Sequence, residues 1–91
     1  MIEKIGFSTD GWDDYAYWLE QGQKRTTKKI NDLIKSIKRT PFEGIGKPEA
    51  LKHELTGRWS REIDQKNRLV YELIGESEVI IYQCRGHYDD K

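Results

Sequence analysis

The chain has 91 residues, 35% of them hydrophobic and 35% charged, and its formal net charge is zero. This length allows one domain, residues 1–91, without a second hydrophobic core, and no apolar run approaches the roughly 20 residues of a membrane-spanning helix. A single cysteine, Cys84, excludes an internal disulfide, and the first residues show no secretory signal, so we expect a cytoplasmic protein without membrane contact.

The zero net charge conceals an uneven distribution along the chain. Residues 1–23 hold one basic and five acidic residues, residues 24–68 thirteen basic and six acidic, and residues 69–91 two basic and five acidic. The basic middle predicts a local surface for a polyanion, because attraction to phosphates depends on clustered charge. The alternative is that these lysines only form the solvated faces of helices.

The first part of the chain predicts a short strand and then a helix. Ile5 and Phe7 alternate with other residues as in a strand, and Ser8 or Thr9 is suited to cap the helix that follows. Gly22 is expected to end this helix. Its apolar face consists of Trp12, Tyr15, Ala16 and Leu19, widened by Tyr17 and Trp18. We expect these side chains to pack in the core and not to bind a cofactor.

A second helix is predicted from about residue 23 to residue 39, with apolar residues at helical spacing. The short connection makes the two helices an antiparallel hairpin that must lay its apolar side on another layer. Pro41 ends the second helix. The stretch 41–55 has two prolines and two glycines within eight residues, so we expect an irregular, functional loop there.

The second half of the chain changes to the alternation of strands. Residues 59–63, 68–74 and 79–85 predict three strands joined by short turns, which together form an antiparallel meander. The predicted fold is therefore α+β with two layers: an N-terminal strand and a helical hairpin packed on a mainly antiparallel, twisted sheet.

Groups with catalytic potential occur at three separate places. Glu49 lies on the loop between two lysines, Arg61 and Arg68 lie on strands, and His87 follows the last strand. RNA cleavage through the 2′-hydroxyl requires a base, an acid and a cation for the phosphate, and a carboxylate, an imidazole and a guanidinium meet these requirements without a metal. The supporting groups are Lys47 and Lys52 for the RNA backbone and Tyr88 for stacking or hydrogen bonding.

Each of these residues also has a simpler interpretation. Glu49 is equally suited to a solvated position at a helix start, His87 to an exposed surface, and Arg68 to an ion pair at a strand edge. Cys84 lies in an apolar strand and is expected in the core, since burial raises the pKa of a thiol. His53 lacks partners at zinc-ligand spacing, so we expect no metal site and no cofactor.

Several motifs together resemble one protein family. These motifs are Trp12 to Trp18 (WDDYAYW), Lys28 to Lys35 (KKINDLIK), Arg39 to Glu49 (RTPFEGIGKPE), Leu51-Lys52, Trp59 to Arg61 (WSR), Asn67 to Tyr71 (NRLVY) and Cys84 to Tyr88 (CRGHY). In this order, over nearly the whole chain, they resemble the YoeB (Txe/YoeB) toxins of bacterial type II toxin–antitoxin systems, relatives of RelE.

The resemblance implies a RelE-like fold and a metal-independent endoribonuclease that cuts mRNA in the ribosomal A site and halts translation. It implies Glu49 as general base, Arg68 as the phosphate-stabilising group and His87 as general acid, with Lys52, Arg61 and Tyr88 in support. The implied partners are a YefM-like antitoxin and the 70S ribosome. Contact with operator DNA would occur only through the antitoxin, and a homodimer is compatible with the resemblance.

The chain departs from the family pattern at a few positions. Residues 89–91, expected to be a flexible tail, continue past the His-Tyr pair where relatives commonly end. Glu62 stands where a second arginine is frequent, and Arg58 where an aromatic residue is common. Two alternatives from other functional classes are a ParE-like toxin that binds a protein target and a small module that occupies the ribosome without cutting RNA.

Overall fold

A computed structural model describes residues 1–87 and shows two helices on one five-stranded sheet. The elements in chain order are β1 (Lys4–Phe7), α1 (Thr9–Glu20), α2 (Lys24–Arg39), β2 (Glu49–Ala50), a 3₁₀ helix (His53–Leu55), β3 (Trp59–Glu62), β4 (Arg68–Ile74) and β5 (Glu78–Gln83). The predicted strand, helical hairpin and meander are all present, so the predicted α+β class is confirmed.

The sheet has the strand order β1-β5-β4-β3-β2. β1 runs parallel to β5, with Lys4 opposite Glu78, and the other neighbours are antiparallel. A register shift at Val70 and Tyr71 interrupts the pairing of β4 with β5. The meander therefore forms from consecutive strands, while β1 joins it beside the last strand of the chain.

The core lies between the helices and one face of the sheet. Ser8 caps α1, since its Oγ accepts a hydrogen bond from the backbone N–H of Gly11 at 3.1 Å. The hydroxyl of Tyr15 donates to Asn31 at 2.7 Å and ties α1 to α2. The buried residues of the core include Ile30, Leu33, Ile37, Leu69, Tyr71, Val79, Ile81 and Cys84.

The structure corrects the sequence interpretation at three places. The expected loop 41–55 contains β2 and a 3₁₀ helix, so Glu49 begins a strand rather than a helix. β3 ends at Glu62 and β5 at Gln83, one and two residues before the predicted ends. Residues Trp12 and Leu19 are 53% and 51% exposed, and Tyr15 and Trp18 make core contacts of α1 instead.

None of the helices within residues 1–87 is long and apolar enough to cross a membrane.

Candidate active site

An open groove of about 510 Å³ lies at one end of the sheet, where β2, β3 and β4 meet the segment after β5. Side chains alternate between the two faces of a strand, so the groove residues of β3 lie on the opposite face from the core residues. The groove is lined by Lys47, Pro48, Glu49, Ser60, Glu62, Arg68 and His87. It therefore brings together the three residues predicted to carry the chemistry.

Glu49 reaches the groove because β2 pairs with β3, with Glu49 opposite Ser60. The preceding loop is held by a hydrogen bond of 2.7 Å from the N–H of Glu62 to the carbonyl of Gly46. At Gly46, φ is +85°, and an added Cβ would lie 2.6 Å from Leu33. Only glycine fits this conformation and this spacing, so the loop that presents Lys47 and Glu49 is fixed against the core.

Arg68 is the first residue of β4, and its side chain is 17% exposed. One guanidinium nitrogen donates to the carbonyl of Asp64 at 2.7 Å. The other lies 3.8 Å from the carboxylate of Glu62, whose side chain is 42% exposed. The guanidinium thus keeps one side toward the groove, where it is close to an acidic side chain.

His87 is exposed and lies in the segment 84–87, which follows β5. The N–H of Cys84 donates to the carboxylate of Asp14 at 3.1 Å, and the indole of Trp18 donates to the carbonyl of Cys84 at 2.8 Å. Burial raises the pKa of the Asp14 carboxyl despite this hydrogen bond. The segment that ends at the groove with His87 is therefore anchored on α1.

Arg61, implied by the resemblance as a supporting residue at the substrate, is not among the residues that line the groove. The residue is completely buried, because β3 points it into the space between the sheet and the loop after α2. It donates to the hydroxyls of Tyr71 and Ser36 and to loop carbonyls. These carbonyl acceptors belong to Thr40, Pro41, Glu43 and Ile45. Arg61 instead fixes the loop that leads to Glu49.

The remaining predicted residues have different positions. Lys47 lines the groove and has φ of +52°. Lys52 is exposed and directly precedes the 3₁₀ helix, outside the groove lining. Tyr88, predicted to bind substrate, lies outside the described residues, as does the expected tail 89–91.

Two polar groove residues on β3, Ser60 and Glu62, were not among the predicted site residues. The signal that could have identified them is the alternation of β3. Trp59 packs against the core and Arg61 is buried within it, so their neighbours Ser60 and Glu62 face the other side of the sheet.

Cys84 is a buried residue of the core, as expected. Burial, together with the negative charge of Asp14, raises the pKa of its thiol to about 12. Such a thiol is not a nucleophile at neutral pH. Within residues 1–87, no group of three or more His, Cys, Asp or Glu side chains is arranged to hold a metal ion.

The fold is that of the RelE-like toxins. A chain of the RelBE2 toxin–antitoxin complex from Mycobacterium tuberculosis shares it with a TM-score of 0.72 at 19% identity, covering 96% of this chain and 100% of that one. A family model described as the YoeB-like toxin of bacterial type II toxin–antitoxin systems matches residues 7–88. The chain belongs to this YoeB family and is therefore a toxin of a type II toxin–antitoxin system.

Individual relatives support the same assignment. Toxin YoeB from Escherichia coli (strain K12) is 55% identical over 85 residues, which cover 93% of this chain and 99% of that protein. The YoeB/ParE toxin from Agrobacterium tumefaciens has a TM-score of 0.90 at 45% identity, covering 94% and 100% of the two chains. YoeB from Staphylococcus aureus, 45% identical, is solved as a dimer and in a complex with YefM. The TM-scores are 0.85 and 0.83, with coverage of 97% of this chain and 100% and 99% of those chains.

Proposed function

We propose that this toxin is a ribosome-dependent endoribonuclease that cuts mRNA in the ribosomal A site and so stops translation in the cytoplasm. The observation that carries the proposal is the groove itself. It gathers a carboxylate, a guanidinium and an imidazole from three distant parts of the chain, namely Glu49, Arg68 and His87. These are the groups that cleavage through a neighbouring 2′-hydroxyl needs.

In the proposed reaction, Glu49 takes the proton of the 2′-hydroxyl, and the 2′ oxygen attacks the adjacent phosphorus. Arg68, together with Lys47 of the same groove, offsets the charge that develops on the phosphate oxygens. The bond from phosphorus to the 5′ oxygen breaks, and His87 donates a proton to that oxygen. The products are a 2′,3′-cyclic phosphate and a 5′-hydroxyl, and no metal takes part in these steps.

Two further residues are proposed to contact RNA outside the described groove lining. Lys52 lies two residues after the end of β2, the strand that begins with Glu49. Its positive charge is proposed to attract the RNA backbone. Tyr88 follows His87 directly and is proposed to stack on a base or to donate a hydrogen bond. Arg61 is proposed to act on the reaction only through the loop that it holds.

The proposed partners follow from the family. We expect a YefM-like antitoxin to bind and inhibit this chain, since a relative from Staphylococcus aureus is solved with YefM. We also propose the 70S ribosome with mRNA in its A site as the working partner, and a homodimer as an assembly of the free toxin. Operator DNA would be reached only through the antitoxin.

Primer extension on mRNA from translating ribosomes tests the proposal. Wild-type protein should produce discrete cleavage products, and the variants Glu49→Ala, Arg68→Ala and His87→Gln should lose about 100-fold or more in cleavage rate. Circular dichroism should show that all three remain folded, because the groove is open and these side chains are not part of the core.

Matched controls come from the same residue types outside the groove. His53→Gln changes the other histidine of the chain, which lies in the 3₁₀ helix, and Glu76→Ala changes an exposed carboxylate in the turn before β5. Both should cleave like the wild type. Inhibited translation with intact mRNA, or cleavage unaffected by the groove variants, would reject the ribonuclease and favour a toxin that acts by binding alone.

A further inference from the structure

The proposed general acid, His87, lies in a segment outside the helices and strands of residues 1–87, and hydrogen bonds of the preceding residues anchor this segment. The first anchor of this segment is Cys84, whose N–H and carbonyl are both bound to side chains of α1. The second anchor is Gly86, the residue directly before His87. Its φ is +83°, a conformation that side chains other than glycine rarely adopt.

Gly86 is held on both of its backbone groups by two consecutive residues. Its N–H donates to the side-chain oxygen Oδ1 of Asn67 at 2.7 Å, and its carbonyl accepts from the N–H of Arg68 at 2.9 Å. The amide nitrogen of Gln83 also approaches this carbonyl, at 3.3 Å. Asn67, the last residue before β4, and Arg68, the first residue of β4 and the proposed phosphate-binding group, therefore both hold the chain directly next to the proposed acid.

The nitrogen of the Asn67 side-chain amide is also hydrogen-bonded, to Asp64. Its Nδ2 donates to both carboxylate oxygens of Asp64 at 3.1 Å, while its backbone N–H donates to Oδ1 of Asp64 at 2.8 Å. Burial alone would raise the pKa of Asp64, but these hydrogen bonds, with one from the N–H of Lys66, hold it below its ordinary value. Asp64 is therefore a carboxylate at neutral pH. If the side-chain amide of Asn67 were turned over, its Oδ1 would face the carboxylate oxygens of Asp64, so the observed orientation is fixed.

We propose that Asn67 is a positioning residue that fixes the imidazole of His87 relative to the guanidinium of Arg68 by bridging Asp64 and Gly86. This inference rests on the proposed function of the groove. Asn67 touches no reacting atom in it. Its effect on the reaction passes through the backbone of Gly86, because His87 is the next residue and has no secondary structure of its own.

The bridge requires a donor and an acceptor on one short side chain. Alanine at position 67 removes both contacts. Aspartate keeps an acceptor for the N–H of Gly86 but sets a second carboxylate against Asp64, which repels it. The chemistry of the bridge therefore predicts a pattern among variants that a simple loss of packing would not produce.

The first measurement is steady-state cleavage of mRNA on ribosomes. Since a misplacement of about 1 Å can cost about 100-fold in rate, Asn67→Ala is expected to lower kcat about 10- to 100-fold. KM should change by less than about threefold, because no group that binds RNA is removed. Asn67→Asp should also be impaired. A normal kcat in Asn67→Ala would overturn the inference.

A rescue variant separates positioning from general destabilisation. The double variant Asp64→Asn with Asn67→Asp puts the amide at position 64 and the carboxylate at position 67, so donor and acceptor are exchanged while the acceptor for Gly86 is kept. We expect its kcat to return to within about threefold of the wild type. A double variant as slow as Asn67→Asp alone would show that the bridge is not what Asn67 supplies.

A second measurement does not depend on cleavage. The amide hydrogen of Gly86 should exchange with solvent at least about tenfold faster in Asn67→Ala than in the wild type, because its hydrogen bond is lost. The matched control is Asn31→Ala, which removes the hydrogen bond of 2.7 Å from Tyr15 on the helical side of the molecule. It should leave both Gly86 exchange and kcat unchanged.

These outcomes distinguish the inference from the proposed function. If the wild type does not cleave mRNA but Gly86 exchange rises in Asn67→Ala, the ribonuclease fails while the bridge between the two segments stands. If the wild type cleaves and Asn67→Ala changes neither kcat nor Gly86 exchange, the positioning role fails and the ribonuclease stands.

Discussion

Replacing the buried Arg61 with alanine should destabilise the fold strongly. Its guanidinium has five acceptors within 3.1 Å, namely Tyr71, Ser36, Thr40, Glu43 and Ile45. At about 1 kcal/mol net for each hydrogen bond, and with part of this offset by the cost of burying a charge, we expect Arg61→Ala to lower the free energy of unfolding by about 3–5 kcal/mol. For a domain of this size, Tm should fall by at least about 12 °C.

Urea denaturation followed by tryptophan fluorescence measures this loss. Arg61→Lys provides a second variant in case alanine prevents folding, and it should also destabilise, because an ammonium group cannot reach acceptors on several sides at once. The control is Arg39→Ala at the exposed end of α2, where the expected loss is less than about 1 kcal/mol. If Arg61→Ala kept wild-type stability but lost cleavage, the guanidinium would have to act on the substrate, and its structural role would be refuted.

Three further predictions concern single side chains. Glu62→Gln removes the carboxylate that lies 3.8 Å from Arg68 and that competes with the substrate phosphate for its guanidinium. Because exposed ion pairs contribute about 0.2–1 kcal/mol, KM for mRNA should fall about 1.5- to 5-fold. The decrease should be smaller at high salt. Glu76→Gln is the matched control, and an unchanged KM in Glu62→Gln would contradict the reasoning. Burial raises the pKa of Asp14, so the wild type loses stability as pH rises through that pKa. Asp14→Asn should therefore be more stable than the wild type at about pH 7, with a smaller advantage near pH 4. An equal advantage at both pH values would be inconsistent with this cause. Burial also raises the pKa of the Cys84 thiol to about 12. A thiol reagent should therefore modify Cys84 only as fast as the protein unfolds. Rapid modification of the native protein would contradict this prediction.

The parts of the fold that the sequence predicts well are those with strong periodicity. Ile30, Leu33 and Ile37 recur at helical spacing and are all buried on α2, which begins and ends within a residue of its predicted bounds. By contrast, β2 has only two residues, Glu49 and Ala50, and no local pattern distinguishes it from a loop. Its existence depends on pairing with β3, which is a tertiary contact.

In the candidate site, too, the sequence indicated some positions and not others. The chemistry of RNA cleavage, together with the family motifs, indicated Glu49, Arg68 and His87, and the structure places them in one groove. The resemblance implied a supporting role at the substrate for Arg61, but its side chain is not part of the groove lining. Its complete burial depends on backbone carbonyls of the loop after α2, and the direction of those carbonyls cannot be read from residue types.

The parallel pairing of β1 with β5 has a consequence for the way the protein matures. Phe7 lies opposite Ile81, so during synthesis β1 has no strand to pair with until residues 78–83 have been made. Contacts between such distant residues form slowly, because a long loop must close first. The segment with His87 is made later still. A nascent chain therefore carries an incomplete sheet and an unassembled groove until residues 78–87 have been made.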